Sequence, residues 1–138
     1  MQQAHRSGSA RLLTLAATLA LGLALATPVL AGDVTSPFAG KAVNRGTVTH
    51  EMVGGQHVLT LSADFEVPGS PDPHWQVVDS RGRTYLLDRI KLKDDRIKTS
   101  IALPPHVPDV AKVQMWCAWA EVVLGEASFP APIMAHAK

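Results

Sequence analysis

Cys117 is the only cysteine of the chain, and it stands in the run Trp116, Cys117, Ala118, Trp119. A thiolate is both a nucleophile and a metal ligand, so a lone thiol between two indoles is the first candidate for chemistry. Trp116 is its immediate neighbour and shares the candidacy. A second group, His50, Met52 and His57, flanks the pair Gly54 Gly55. Imidazoles facing each other across a hairpin make His50 and His57 weak metal-ligand candidates. A blue-copper centre would need a histidine within a few residues after the cysteine, and the first one after Cys117 is His136. That pattern is not met. Asp64, Glu66 and Asp72 carry carboxylates at a spacing that solvent exposure explains. No serine sits in a nucleophile elbow, no HExxH helix exists, and the Gly-rich element is a turn, not a phosphate loop. The residues therefore argue against a stand-alone enzyme.

The elements that must position these groups read as β-strands. From His57 the positions His57, Leu59, Leu61, Ala63, Phe65 and Val67 alternate with Thr60, Ser62, Asp64 and Glu66, the period of a strand with one buried face. Thr47 to Val53 alternates more weakly, and Gly54 Gly55 between the two runs predicts a two-residue hairpin turn. Ile97, Thr99, Ile101 and Leu103 repeat the pattern, as do Val113, Met115, Cys117 and Trp119, while Ser80 Arg81 Gly82 marks a turn between two further strands. The last register points Cys117 into an apolar face between large side chains, where burial raises a thiol's pKa and silences it. Two proline-rich loops, 68–73 and 104–108, run over the surface, because proline brings no amide to a central sheet. Seven to eight strands predict an all-β antiparallel sandwich or small barrel.

The first 31 residues read as an export signal: His5, Arg6 and Arg11, then the apolar run Leu12 to Ala26, then Val29, Leu30 and Ala31 before a cut. The run is too short to span a membrane, and cleavage predicts a periplasmic or secreted product with no membrane association. The loss of Arg6 and Arg11 takes the basic residues from 13 to 11 against 12 acidic ones, leaving a net charge of −1. Lys91, Lys93, Arg96 and Lys98 are broken by Asp94 and Asp95 without interleaved aromatics, which excludes a nucleic-acid face. The expected organisation is a signal peptide at 1–31, a flexible segment at 32–45, a β domain at 46–130 and a tail at 131–138. In an oxidising compartment an unpaired cysteine is unusual.

The stretch from Leu59 to Phe129 resembles the DM13 domain, a small extracellular module. The resemblance is carried by Phe65 ahead of the Pro71 Asp72 pair, by the extended run Trp75 to Ser80, and by the proline-bearing segment Leu103 to Pro108. Its most specific part is Val113 to Cys117, ending in Trp-Cys, followed by Val122 Val123 Leu124 Gly125 Glu126 Ala127. The chain departs from the family at Ser70, where glycine is common before Pro-Asp, and at Pro73, where a hydrophobic residue is usual. The resemblance implies an electron-transfer or redox role, with Cys117 as a bare thiol or as the ligand of a prosthetic group such as haem. Without a CxxCH motif, such a haem is non-covalent. Pro71, Asp72 and His74 become loop candidates, and an unidentified redox or protein partner is expected. The alternative is a non-catalytic binding or assembly module that uses the two proline-rich loops and keeps Cys117 as a core residue. An intermolecular disulfide through Cys117 is a third possibility.

Overall fold

The computed structural model describes residues 33–134. The export signal read over 1–31 lies outside the described residues, as does the end of the tail. Eight strands form two antiparallel sheets of four: β1 (Asp33–Val34), β2 (Val48–Val53), β3 (Gln56–Leu61) and β6 (Ser100–Ala102) in the order β1-β2-β3-β6, and β4 (Pro73–Val78), β5 (Thr84–Arg89), β7 (Asp109–Cys117) and β8 (Val122–Met134) in the order β5-β4-β7-β8. The expected β-sandwich is present.

The local chemistry explains the order. Gly54 and Gly55 both have positive φ, 56° and 79°, and so make the tight turn that pairs β2 with β3. Alternation along β2 and β3 turns Val48, Leu59 and Leu61 inward, where they meet Trp75, Val77, Val113 and Met115 of the other sheet. Trp75 is fully enclosed, and its indole N–H donates to the Lys98 carbonyl at 2.9 Å, tying the segment before β6 to the opposite sheet. On the outer face, Gln76, Gln114 and Glu126 lie abreast across β4, β7 and β8. Gln76 donates to Gln114 at 2.8 Å, and Gln114 donates to Glu126 at 2.7 Å.

Three particulars differ from the sequence expectation. Pro73 opens β4, a central strand. Standing first, it has no ladder bond to lose, and its carbonyl accepts the Ile90 amide at 2.9 Å. The core also takes in residues on either side of 46–130: Phe38 and Val43 are buried from the leading segment, and β8 runs on to Met134 with Ile133 buried. Finally, the alternation that ends on Trp119 stops at Cys117. Residues 118–121 form a turn with Glu121 at a positive φ of 52°, and Trp119 is 78% exposed.

Candidate functional site

Cys117 ends β7 directly opposite Pro73, the first residue of β4, and the Ala118 amide donates to the Asp72 carbonyl at 3.0 Å. This pairing folds the loop before β4 over the sulfur. Cys117 is 1% exposed. Its companions on the inner face are Met115 and Val113, while Trp119 faces out, so the pocket between two large side chains is not formed.

What surrounds the sulfur is a set of hydrogen-bond donors. The Ala120 amide donates to Sγ at 3.4 Å across the turn. Ser70 Oγ is buried and has no partner at strict hydrogen-bond geometry, yet its hydroxyl can rotate toward the sulfur and is the strongest influence on the thiol. The Ser70 hydroxyl lowers the thiol pKa. Burial opposes it as the second influence, and the amides of Ala120, Asp72 and Trp119 act in the same direction as Ser70. The net shift is downward. The expectation that burial raises this pKa is thus corrected: a thin loop covers the sulfur, and the loop brings donors that favour the charged form. These influences include no histidine, so neutral dipoles take the place of a neighbouring cation.

The other loop candidates divide between two faces of the sheet. Pro71 is exposed on the loop crest. His74 pairs in register with Trp116, and both stand on the face away from Cys117. His74 Nδ1 lies 3.0 Å from the Asp72 carbonyl and 3.6 Å from Asp72 Oδ1. Arg89 Nε reaches the same carboxylate oxygen at 2.8 Å, although Oδ1 has no well-aligned hydrogen bond; charge proximity rather than directed bonding holds this pair. The loop is thereby fixed from outside by Arg89 and from inside by Cys117. Sequence reasoning missed Ser70, Ala120 and Arg89, and only the departure noted at Ser70 pointed toward any of them.

The two proline-rich loops do not form one surface. Residues 68–73 lead into the Cys117 end of sheet β5-β4-β7-β8, whereas 104–108 lead into Asp109 at the other end of β7, about 26 Å away along the strand. His106 contacts the Tyr85 ring at that far end, with centroids 6.0 Å apart.

Haem ligation would require an Sγ lone pair facing an opening wide enough for a porphyrin. The sulfur is enclosed, and donors already surround it. A cleft of about 550 Å³ is lined by His74, Arg89, Lys91 and Lys98, and another of about 360 Å³ by Leu61, Phe65 and Ile97; Cys117 lines neither. The residues around Cys117 do not fit a haem.

His50 and His57 do meet. Their rings lie end to end, within 15° of parallel and with centroids 5.0 Å apart, and His50 Nε2 is hydrogen-bonded to His57 Nδ1 at 2.8 Å. Among the described residues no group of three or more His, Cys, Asp or Glu side chains is arranged to hold a metal. The fold and site define an antiparallel β-sandwich with an enclosed thiol capped by hydrogen-bond donors. No protein-family model, curated protein or solved structure matches the chain.

Proposed function

We propose that this chain is an exported, DM13-like redox module whose working group is Cys117, held toward its thiolate form. The observation that carries the reading is the donor set around the sulfur: the Ala120 amide reaches Sγ at 3.4 Å, and with the Ser70 hydroxyl it favours the charged form of the thiol. Loss of the thiol proton to solvent gives the thiolate. Transfer of one electron from the sulfur to an oxidised partner leaves a thiyl radical, and an electron from a reduced donor restores the thiolate. An enclosed group suits this exchange, because an electron needs proximity rather than contact. The exposed Trp119, two residues from Cys117, offers the partner an aromatic surface.

The test is a pH titration of thiolate ultraviolet absorbance, compared with Cys117→Ala. The expected result is a step, absent from the variant, with a midpoint below the ordinary thiol value of about 8.5. A chain whose Cys117 ionises only above that value does not hold a redox thiolate. The second reading, a binding module with Cys117 as core packing, draws on the 1% exposure of the residue. It requires that Cys117→Ala fold and bind partner unchanged apart from a small loss of stability.

A further inference from the structure

We propose that the cleft between β5 and the hairpin at 90–98 binds a small organic phosphate, a phosphomonoester whose body is no larger than a sugar or an aromatic ring. The wall of the cleft is built outward from the core. Ile90, fully enclosed, donates its amide to the Pro73 carbonyl at 2.9 Å, and its own carbonyl accepts the Lys98 amide at 2.8 Å. The Trp75 indole holds the Lys98 carbonyl at 2.9 Å, so both feet of the hairpin are fixed to the sandwich. At the tip, the Leu92 amide donates to the Arg96 carbonyl at 2.9 Å, and Asp95 turns the chain at a positive φ of 59°. The cleft between this arm and β5 holds about 550 Å³, which falls within the range of small-molecule sites, about 300–1,000 Å³.

The lining gathers charge of one sign. Residues 33–134 carry ten Lys or Arg side chains against twelve Asp or Glu, and four of the ten, Arg89, Lys91, Lys93 and Lys98, line the cleft with Asp88 as its one carboxylate. Lys98 pairs with Asp88, Arg89 with Asp72, and Arg96 takes Asp94 at the hairpin tip. Among the described residues Lys91 and Lys93 have no carboxylate partner, so two ammonium groups are left to meet a ligand. A phosphomonoester carries about two negative charges near neutral pH and three strong acceptor oxygens, a match for two uncommitted ammoniums. Leu87 and the 38% exposed Leu92 supply apolar surface for the organic body. His74 completes the lining; its side chain is 13% exposed, and its Nδ1–H donates to the Asp72 carbonyl, which leaves Nε2 as the nitrogen a ligand can engage.

The rest of the surface selects the size of the ligand. With those five side chains set aside, the described residues carry six cations against eleven carboxylates. A nucleic acid, a sulfated polysaccharide or an anionic membrane reaching past the cleft would therefore meet like charge, whereas a compact dianion would not. His74 stands on the face of the sheet away from Cys117, and the site does not use the thiol. The proposal stands or falls separately from the redox reading.

The experiment titrates the full chain with phenyl phosphate, followed by calorimetry and by nuclear magnetic resonance. The expected results are one equivalent bound with a Kd below about 1 mM, and resonance shifts at His74, Leu87 and Lys91 before any at Lys41 or Lys112. Lys91→Gln and Lys93→Gln each weaken binding ~10-fold, the double replacement abolishes it, and Lys41→Gln leaves it unchanged. Inorganic phosphate, which has no body to meet the leucines, binds ~10-fold more weakly than phenyl phosphate. The absence of saturable binding up to about 10 mM, shifts that begin at Lys41 or Lys112, or affinity untouched by the double replacement overturns the site. Because the shifts are read in the natural chain, a variant that fails to fold does not protect the proposal. Inorganic phosphate binding as tightly as phenyl phosphate overturns the role of the leucines, and a heparin fragment or single-stranded DNA binding more tightly overturns the restriction to a small ligand.

Discussion

Pro73 and Cys117 face each other across the central β4–β7 pair, one opening its strand and the other closing its own. A residue that brings no amide is thus set beside a residue whose sulfur accepts them. The loop before Pro73 supplies what proline lacks, through the Ser70 hydroxyl and the Asp72 amide. Ser70→Ala is expected to move the Cys117 titration midpoint upward, read by thiolate absorbance. Because the folded thiol pKa is lowered, the associated stability is present above the unfolded value and is lost as pH falls through the folded one. The stability difference between the natural chain and Ser70→Ala should therefore grow as pH rises through the folded thiol midpoint of the natural chain and stay constant above that of the variant. A midpoint that does not move removes the hydroxyl from the site.

Asp79 governs the acid side. Its Oδ1 accepts the Arg81 and Arg83 amides, each at 2.9 Å, and its Oδ2 accepts the Tyr85 hydroxyl at 2.9 Å. Burial is the largest single influence and works to raise its pKa. The Arg83 amide, the Tyr85 hydroxyl and the Arg81 amide together outweigh it, so the carboxyl titrates below its ordinary value. Stability from this group is present above the unfolded carboxylate pKa of about 3.9 and is lost as pH falls through the lower folded value. Asp79→Asn should lower the urea midpoint at neutral pH and flatten its decline in acid. The exposed Asp88→Asn should do neither.

Trp75 supports the core in two ways that substitution can separate. Trp75→Ala removes the largest enclosed side chain and is expected to cost about 3–5 kcal/mol in denaturant unfolding. Trp75→Phe keeps much of the ring but leaves the Lys98 carbonyl without its donor, for a smaller loss of about 1–3 kcal/mol. A Trp75→Phe loss near zero would mean that the indole hydrogen bond contributes nothing.

Gly125 is where the leading segment crosses β8. A methyl group added there would lie 2.6 Å from the Val43 carbonyl oxygen, on backbone that cannot move aside freely, and 2.7 Å from Val43 Cβ, the side-chain atom fixed directly to that backbone. Gly125→Ala should destabilise by at least about 1–3 kcal/mol. At Gly69 an added methyl meets nothing within 4 Å, and Gly69→Ala should stay within about 0.5 kcal/mol of the natural chain.

The strands were legible in the sequence because alternation and turn residues are local signals. His57 to Leu61 and Gly54 Gly55 needed no distant information, and they placed His50 near His57 as found. The surroundings of Cys117 were not legible. Ser70 lies 47 positions before Cys117 in the chain, and their approach depends on the β4–β7 register, which no local pattern encodes. Alternation also carried Trp119 inward by extrapolation, past the point where the turn at 118–121 ends the strand. Phe38 and Val43 escaped notice because their segment has no period; it packs through isolated side chains.

That irregular segment has a consequence for how the molecule behaves among its copies. Ser36 and Ala39 donate their amides to the Ser128 and Glu126 carbonyls at 2.8 and 3.0 Å, and the Ala42 and Val43 amides both reach the Leu124 carbonyl. They run along the outer margin of β8, the longest strand and the last of its sheet. An uncovered margin of that kind is a template on which another chain can add a strand. Residues 36–43 act as a built-in cover strip, and their role extends from packing to colloidal behaviour: a chain trimmed past Val43 would offer β8 to its neighbours and assemble edge to edge.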